Sequence, residues 1–458
     1  MPPNSLLLVE AARVPVMTGM SPLVLVGFSS GEVRRGVQRG GRQAVRRTGG
    51  AGRMHRWRGG RRRATALVRT GARLVRRVPP PWPYLIGLFL GAKLLLTLLG
   101  LLVLHAWDGI PGAPPPDEAL MWAQQREISG HRWISFWFAW DALLYLRLSE
   151  LPLTGRPWGD FGFPLLYPFL ARPVGALLGG DNALALLLIS NVAFLGVLGY
   201  GYRLAELLFA DADAARRFTR YLVLLPTAFL FQAALTESLF VCLALAAFYY
   251  AERRRWLVVG VVGYFLAMSR SLGLLVVLPL ALVLLRQHDW RLGPRALLGY
   301  LRTGWPLLLL PAGWFTFMAF CKWRGGDWFA YQHAQKAGWG IETQNPLPVV
   351  LGGLTGEPRD AARVLFALVV LAVLAAGFRR RELPYLVYGV LMVVVPLSLG
   401  PAVYKSLLRY LLAAFPVALV LARWARRASV DGWLTAALAL VQGALFVLWL
   451  TYWTHMII

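Results

Sequence analysis

Asp141 lies in Trp137-Phe138-Ala139-Trp140-Asp141-Ala142-Leu143-Leu144-Tyr145, an acid among aromatic rings on a polar stretch just past the first long apolar run. Core packing explains such a carboxylate poorly. A general base that takes a proton from a hydroxyl presented at a membrane surface explains it better. Four more charged residues stand in apolar surroundings: Glu237 in Leu235-Thr236-Glu237-Ser238, Arg270 in Ser269-Arg270-Ser271, and Lys405 and Arg409 in Tyr404-Lys405-Ser406-Leu407-Leu408-Arg409-Tyr410. An ionisable side chain at membrane depth is costly, so it faces a cavity or a partner. The acids Asp141 and Glu237 with the bases Arg270, Lys405 and Arg409, at one membrane level, predict a pocket for an anionic lipid headgroup.

Each residue also has a plainer reading. Trp133, Trp137, Trp140, Leu144 and Leu148 recur every three or four residues, which predicts one amphipathic helix lying in the interface plane. Asp141 and Tyr145 fall off that stripe, one turn apart, and face the same way. Asp141 alternatively pairs with Arg147 or caps a helix. Glu237 suits a substrate hydroxyl or a metal, or simply pairs with Arg270. Lys405 and Arg409, one helical turn apart, suit a phosphate or diphosphate, or snorkel to the headgroups. The segment 323–339 carries Trp323, Asp327, Trp328, Phe329, Tyr331, His333, Gln335, Lys336 and Trp339. Rings mixed with amides and a histidine suit carbohydrate, and an interfacial aromatic belt is the alternative.

The elements that hold these residues are apolar helices. The chain is 57% hydrophobic, and long apolar runs recur from Trp82 onward. The sequence therefore predicts an all-α polytopic integral membrane protein with roughly eleven crossings. The expected spans are 82–107, 183–208, 220–233, 236–250, 256–268, 271–285, 303–321, 361–378, 384–399, 405–422 and 433–452, with the proline-rich 161–178 interfacial or re-entrant. A net charge of +26 would point to nucleic acid in a soluble protein, but here the basic residues form short clusters between apolar spans, as cytoplasmic loops do, and no nucleic-acid partner is expected. Arg216/Arg217, Arg253-Arg254-Arg255, Arg286/Arg291/Arg295, Arg379-Arg380-Arg381 and Arg426-Arg427 all fall inside when sides alternate from a cytoplasmic N-terminus. The loops 108–160 and 322–360 then fall outside, and Asp141, Glu237, Arg270, Lys405 and Arg409 converge on that outer face. Residues 1–81 are Gly- and Arg-rich with few apolar residues, which predicts a disordered cytoplasmic arm before the membrane domain 82–458. Cys242 and Cys321 indicate neither a disulfide framework nor a zinc site. Walker loops, dinucleotide fingerprints and nucleophile elbows are absent from the sequence.

The order of short motifs adds a resemblance. Trp140-Asp141-Ala142 with Tyr145, then Phe163-Pro164-Leu165-Leu166-Tyr167-Pro168, resemble the "WDA…Y" and "FFPLYP" segments of PIG-V-type GPI mannosyltransferases and their bacterial relatives. Leu225-Pro226-Thr227-Ala228-Phe229 with Leu235-Thr236-Glu237-Ser238-Leu239-Phe240 is similar to that family's "FPTAFF…YTESLF". Ser269-Arg270-Ser271-Leu272-Gly273 and Arg409-Tyr410-Leu411 resemble its "TRSNG" and "RYLL". The resemblance implies a GT-C glycosyltransferase fold and a polyprenyl-phosphate sugar donor, typically a phosphomannose. It implies that Asp141 is the catalytic acid residue on the first non-cytoplasmic loop, with Glu237 and Arg270 in the pocket.

The expected activity is inverting transfer of a hexose, mannose on this resemblance, to a hydroxyl of a lipid or protein acceptor at the outer face of the plasma membrane. Asp141 is the expected general base, and Trp140, Tyr145, Glu237, Arg270, His333, Lys405 and Arg409 are the expected substrate-binding residues. No cofactor is required, although Asp141 and Glu237 sharing Mg²⁺ or Mn²⁺ with the donor phosphate stays open. The rival expectation is a transporter or flippase of a lipid-linked sugar, built on the short paired spans around Glu237 and Arg270.

Overall fold

Several helices begin where the sequence supplies a first-turn proline or an acidic cap. Pro83 stands in the first turn of Trp82–Asp108, where a missing N–H costs nothing. Asp181 caps Asn182–Phe209 by accepting from the Leu184 N–H at 2.8 Å, and Asp211 caps Ala212–Leu224 through the Asp213 N–H at 2.9 Å. The computed structural model describes residues 81–110, 128, 132–150, 159–377 and 379–451. Among them every regular element is an α-helix or a 3₁₀ turn, so the all-α expectation holds for the described chain.

Four helices are long and apolar enough to cross a bilayer: Trp82–Asp108, Asn182–Phe209, Ala296–Gly325 and Ala428–Leu450. A fifth candidate is the pair Pro401–Leu412 and Pro416–Trp424, bent by 54°. On the first helix Leu90, Leu94, Leu95, Leu98 and Leu102 are exposed while Leu85, Leu96 and Leu104 are buried. Such an uncovered leucine face suits lipid, and its 27 residues span about 40 Å at 1.5 Å per residue. Helix length does not establish the expected eleven crossings.

The remaining helices are shorter, and the breaks between them carry the polar residues. The expected span 220–233 is not one helix: Ala212–Leu224 stops at Leu225-Pro226, and a 3₁₀ turn follows over Ala228–Gln232. Proline at 226 biases its predecessor away from helical backbone, which a count of apolar residues alone does not register. Further breaks fall at Arg270, whose backbone is extended (φ −155°, ψ 151°), and at the 3₁₀ turn Pro401–Ser406. Broken backbone in an apolar interior needs partners. Gln442 donates to the carbonyls of Val223 (2.7 Å) and Leu225 (3.0 Å), Ser190 to Leu235 (3.0 Å), and Thr227 to Leu408 (3.2 Å). Gly273 lets the Ser271–Val276 turn fold back, since a Cβ there would stand 2.2 Å from the Leu266 carbonyl oxygen.

Two other expectations change. The stripe from Trp133 to Leu148 is not one interfacial helix: Arg132–Ser135 is a short turn, residues 136–140 are irregular, and a new helix runs Asp141–Glu150. Phe136, Trp137 and Phe138 are buried, and the Phe136 and Trp137 rings pack on Phe446, the Trp137 and Phe446 rings stacked 5.7 Å apart. Burying those aromatic rings outweighs helix continuity. The region 322–360 is not a plain loop either, because it contains the helices Ala330–Trp339 and Pro346–Thr355. Within 161–178 only Leu166–Leu177 is helical, after an irregular stretch over 161–165. Residues 1–80, and with them nearly all of the expected basic arm 1–81, and most of 111–131 and 151–158 lie outside the described residues.

Candidate active site

Asp141 is the first residue of its helix, and the residue before it is strained. Trp140 has φ of 52°, a left-handed conformation that a bulky side chain rarely adopts and that costs about 1–3 kcal/mol. That turn sets the carboxylate at the amino end of Asp141–Glu150, where the backbone N–H groups favour negative charge. The indole Nε1 of Trp140 is buried with no hydrogen-bond partner among the described residues.

Arg409, on the short helix Leu407–Leu412, links the two acids. Its Nη1 donates to Asp141 Oδ2 at 2.5 Å, while its Nε and Nη2 each lie 2.8 Å from Glu237 Oε1. Arg270 Nη1 donates to that same oxygen at 2.6 Å. Glu237 Oε1 thus has three nitrogens of two guanidinium groups within 2.8 Å, two of them hydrogen-bonded to it, and Oε2, also buried, has no hydrogen-bond partner among the described residues. Glu237 and Arg409 are enclosed, whereas Asp141 keeps 21% of its side chain exposed and Arg270 15%. The Arg270 guanidinium also lies 5.1 Å from the centre of the Tyr410 ring.

These residues open on a pocket of about 80 Å³, lined by Asp141, Tyr145, Arg270, Tyr331, Gln335 and Arg409, with Phe163, Trp339 and Tyr410 beside them. Tyr145 stands 3.5 Å from the Thr236 hydroxyl and packs edge-on against Phe163 and Tyr167. Burial, and after it the neighbouring Asp141 charge, pushes the Tyr145 phenol above its usual range, so it stays protonated. Burial also pushes Tyr331 up to about 12, and its hydroxyl donates to Ser271 Oγ at 3.2 Å. Gln335 donates to the Gly162 carbonyl, and Trp339 meets Phe163 edge-on at 5.3 Å. The Ala330–Trp339 helix is thereby fastened over the Phe163-Pro164 corner.

The structure brings Asp141, Tyr145, Arg270 and Arg409 to the pocket and places Glu237 directly behind them. Trp140 adjoins it through the chain. Lys405 does not join them: it is exposed on the 3₁₀ turn Pro401–Ser406 and absent from the lining. The expected pairing of Lys405 with Arg409 on one face assumed a continuous helix, and the helix starts only at Leu407. His333 is likewise off the pocket, 70% exposed, with Nδ1 2.6 Å from Asp327 Oδ2. Asp327 is held below its usual range by the Phe329 N–H first and by His333 second. Of the two alternatives for Glu237, its pairing with Arg270 is what the geometry contains, and Asp141 pairs with Arg409 rather than Arg147.

Tyr331, Gln335 and Trp339 stand among the candidate carbohydrate-binding residues of 323–339, where His333 alone was the expected pocket residue, and Tyr410 was not singled out for the site. Tyr331, Gln335 and Trp339 recur every four residues, one helix face, with His333 on the other. That spacing was the available signal. Among the described residues no group of three or more His, Cys, Asp or Glu is placed to hold a metal.

No protein-family model matches this chain, and neither does any curated protein. Similar solved structures include two of an oligosaccharyltransferase from the archaeon Archaeoglobus fulgidus. One, tethered by a disulfide to an acceptor peptide containing the NVT sequon, shares 14% identity at a TM-score of 0.36, over 81% of this chain and 55% of that one. The other, AglB in complex with an inhibitory peptide and a dolichol-phosphate, shares 15% identity at a TM-score of 0.38, over 80% of this chain and 55% of that one. This chain spans little more than half the length of either structure. Likeness of that degree assigns neither substrate nor activity.

Proposed function

We propose that this protein is a membrane glycosyltransferase that moves a hexose, mannose in the first instance, from a polyprenyl-phosphate donor to an acceptor hydroxyl with inversion. The observation that carries the reading is Asp141. Its Oδ2 is held by Arg409, its Oδ1 has no partner among the described residues, and it faces a pocket with two guanidinium groups and no other carboxylate in the lining. Oδ1 accepts the proton of the acceptor hydroxyl as the hydroxyl oxygen bonds to the sugar's anomeric carbon. The bond from that carbon to the phosphate oxygen breaks, and its electron pair leaves with the polyprenyl phosphate. Arg270 and Arg409 stabilise the growing phosphate charge, a role the sequence divided between Lys405 and Arg409. With no enzyme nucleophile, the anomeric carbon inverts.

The motif resemblance supplies the donor class, and the lipid or protein acceptor belongs to the same proposal. The positive-inside pattern supports placing the pocket on the outer face of the plasma membrane. The reaction runs without a metal in this reading, because Arg409 already bridges the two carboxylates that would share one. Exhaustive EDTA treatment should therefore leave the rate unchanged, and loss restored by Mn²⁺ would assign a metal instead.

The deciding experiment feeds polyprenyl-phosphomannose to membranes containing wild-type or Asp141→Asn protein. Loss of a general base predicts a drop in rate of about 10²–10⁴-fold. Turnover near wild type would remove Asp141 from the chemistry. Movement of labelled lipid-sugar across vesicles with no new glycosidic product would favour the carrier reading, to which the broken helices also lend themselves.

A further inference from the structure

A second cavity, of about 420 Å³, lies at the far end of the Glu237–Glu252 helix, and the transfer reading makes no use of it. At 1.5 Å per residue the two ends of that helix stand about 22 Å apart. Arg203 and Tyr200 come to the cavity from Asn182–Phe209, and Tyr249, Tyr250, Arg253 and Arg255 from the end of the Glu237 helix. Trp82, the first residue of the first apolar helix, closes one side. It fits there because position 199 is glycine: a Cβ at that point would stand 3.1 Å from the indole.

The charge in this cavity is unbalanced. No carboxylate lines it. Among the described residues Arg203, Arg253 and Arg255 enter no ion pair, although arginines nearby do. Arg286 holds Glu252, Arg217 holds Asp211 and Arg216 holds Asp213. Glu252 is the immediate neighbour of Arg253 and is committed elsewhere. Arg253 instead donates to the Tyr249 hydroxyl at 3.0 Å, and the hydroxyls of Tyr200 and Tyr250 stand 3.4 Å apart. Three cations and adjacent phenolic hydroxyls around one recess are the donor set for a phosphate group. Arginine, tyrosine and tryptophan at the ends of apolar helices are also the composition of the headgroup level of a bilayer.

We propose that this cavity is a phosphate-binding site separate from the Asp141 pocket, with the arginines on the phosphate oxygens and the tyrosine hydroxyls beside them. The two sources of that chemistry are the headgroup of an anionic phospholipid and a soluble phosphate. The proposal stands whether or not the transfer reading does.

The test counts lipids retained by the purified full-length protein in native mass spectrometry, after exchange into micelles holding phosphatidylglycerol and phosphatidylcholine together. Wild type should retain phosphatidylglycerol in preference. The variant Arg203→Gln/Arg253→Gln/Arg255→Gln should lose about tenfold or more of that preference, from roughly a kcal/mol per arginine near a membrane surface. A control of equal charge loss, Arg216→Gln/Arg302→Gln/Arg324→Gln, should keep it. If the first variant does not run as a single species, Arg203→Gln and Arg255→Gln alone should each lose about threefold or more by the same reasoning. Displacement of the lipid by inorganic phosphate would name the soluble source, and resistance to it the headgroup. Equal retention of the two lipids by wild type, with no binding of inorganic phosphate, would overturn the proposal. So would an equal loss in the control.

Discussion

The Glu237–Glu252 helix carries an acid at each end, and the two are treated differently. At one end Glu252 Oε1 accepts from Arg286 Nη2 at 2.5 Å and from the Tyr385 hydroxyl at 2.7 Å, and the second arm of Arg286 reaches the Arg381 carbonyl at 2.7 Å. The neighbouring clasp is similar: Arg423 grips both oxygens of Glu382 at 2.6 Å and donates to the Gly377 carbonyl at 2.8 Å. There each acid has one base, and spare donors end on backbone carbonyls. At the other end two arginines crowd one oxygen of Glu237, the second oxygen is idle, and Arg409 reaches on to a part-exposed Asp141. Two guanidinium groups on one carboxylate repel each other, and an arrangement tuned only for stability would spread them. A clasp that closes on itself joins helices. The crowded pair, facing a pocket, keeps capacity for an incoming anion.

The comparison breaks most visibly at Arg409. Arg409→Ala leaves Asp141 unpaired and Glu237 with Arg270 alone, so we expect transfer to fall at least as far as in Asp141→Asn. Thermal unfolding in detergent should show about 3–5 kcal/mol lost, as when one partner of a buried pair is removed. Arg423→Ala should separate the two ends. The same unfolding assay should show roughly 2–4 kcal/mol lost for a part-buried pair, with kcat/KM in the folded fraction within about threefold of wild type. A drop in rate as large as that of Asp141→Asn would mean the clasp belongs to the site. Glu252→Gln keeps the acceptor for Tyr385 and loses the charge facing Arg286. A stability cost near 1–2 kcal/mol is expected, with transfer unchanged. The smallest effects should come from Lys405→Ala and His333→Ala, both off the pocket, with rates within about twofold of wild type. A KM raised tenfold in either would show that donor binding draws that residue in.

Much of this molecule is legible without coordinates. The apolar runs determine that the chain is helical, because an apolar helix satisfies its own backbone hydrogen bonds in lipid and in protein alike. The cost of charge in apolar surroundings picks out Asp141, Glu237, Arg270 and Arg409 from the sequence alone. The sequence offered the pairing of Glu237 with Arg270 but left open which acids Arg409 meets. Glu237 and Arg409 are 172 residues apart and Asp141 and Arg409 are 268, and neither pairing follows from spacing. Local periodicity misled twice, for the same physical reason. It placed Trp133, Trp137 and Trp140 on one interfacial helix and Lys405 beside Arg409, since a four-residue interval fits a helix. Tertiary burial of Trp137 against Phe446, and the turn Pro401–Ser406, break both helices. Periodicity reports what a segment can do alone. Which helix is broken, and so which polar groups line the pocket, was decided by the contacts that repair the break: Gln442 on Val223, Ser190 on Leu235 and Thr227 on Leu408.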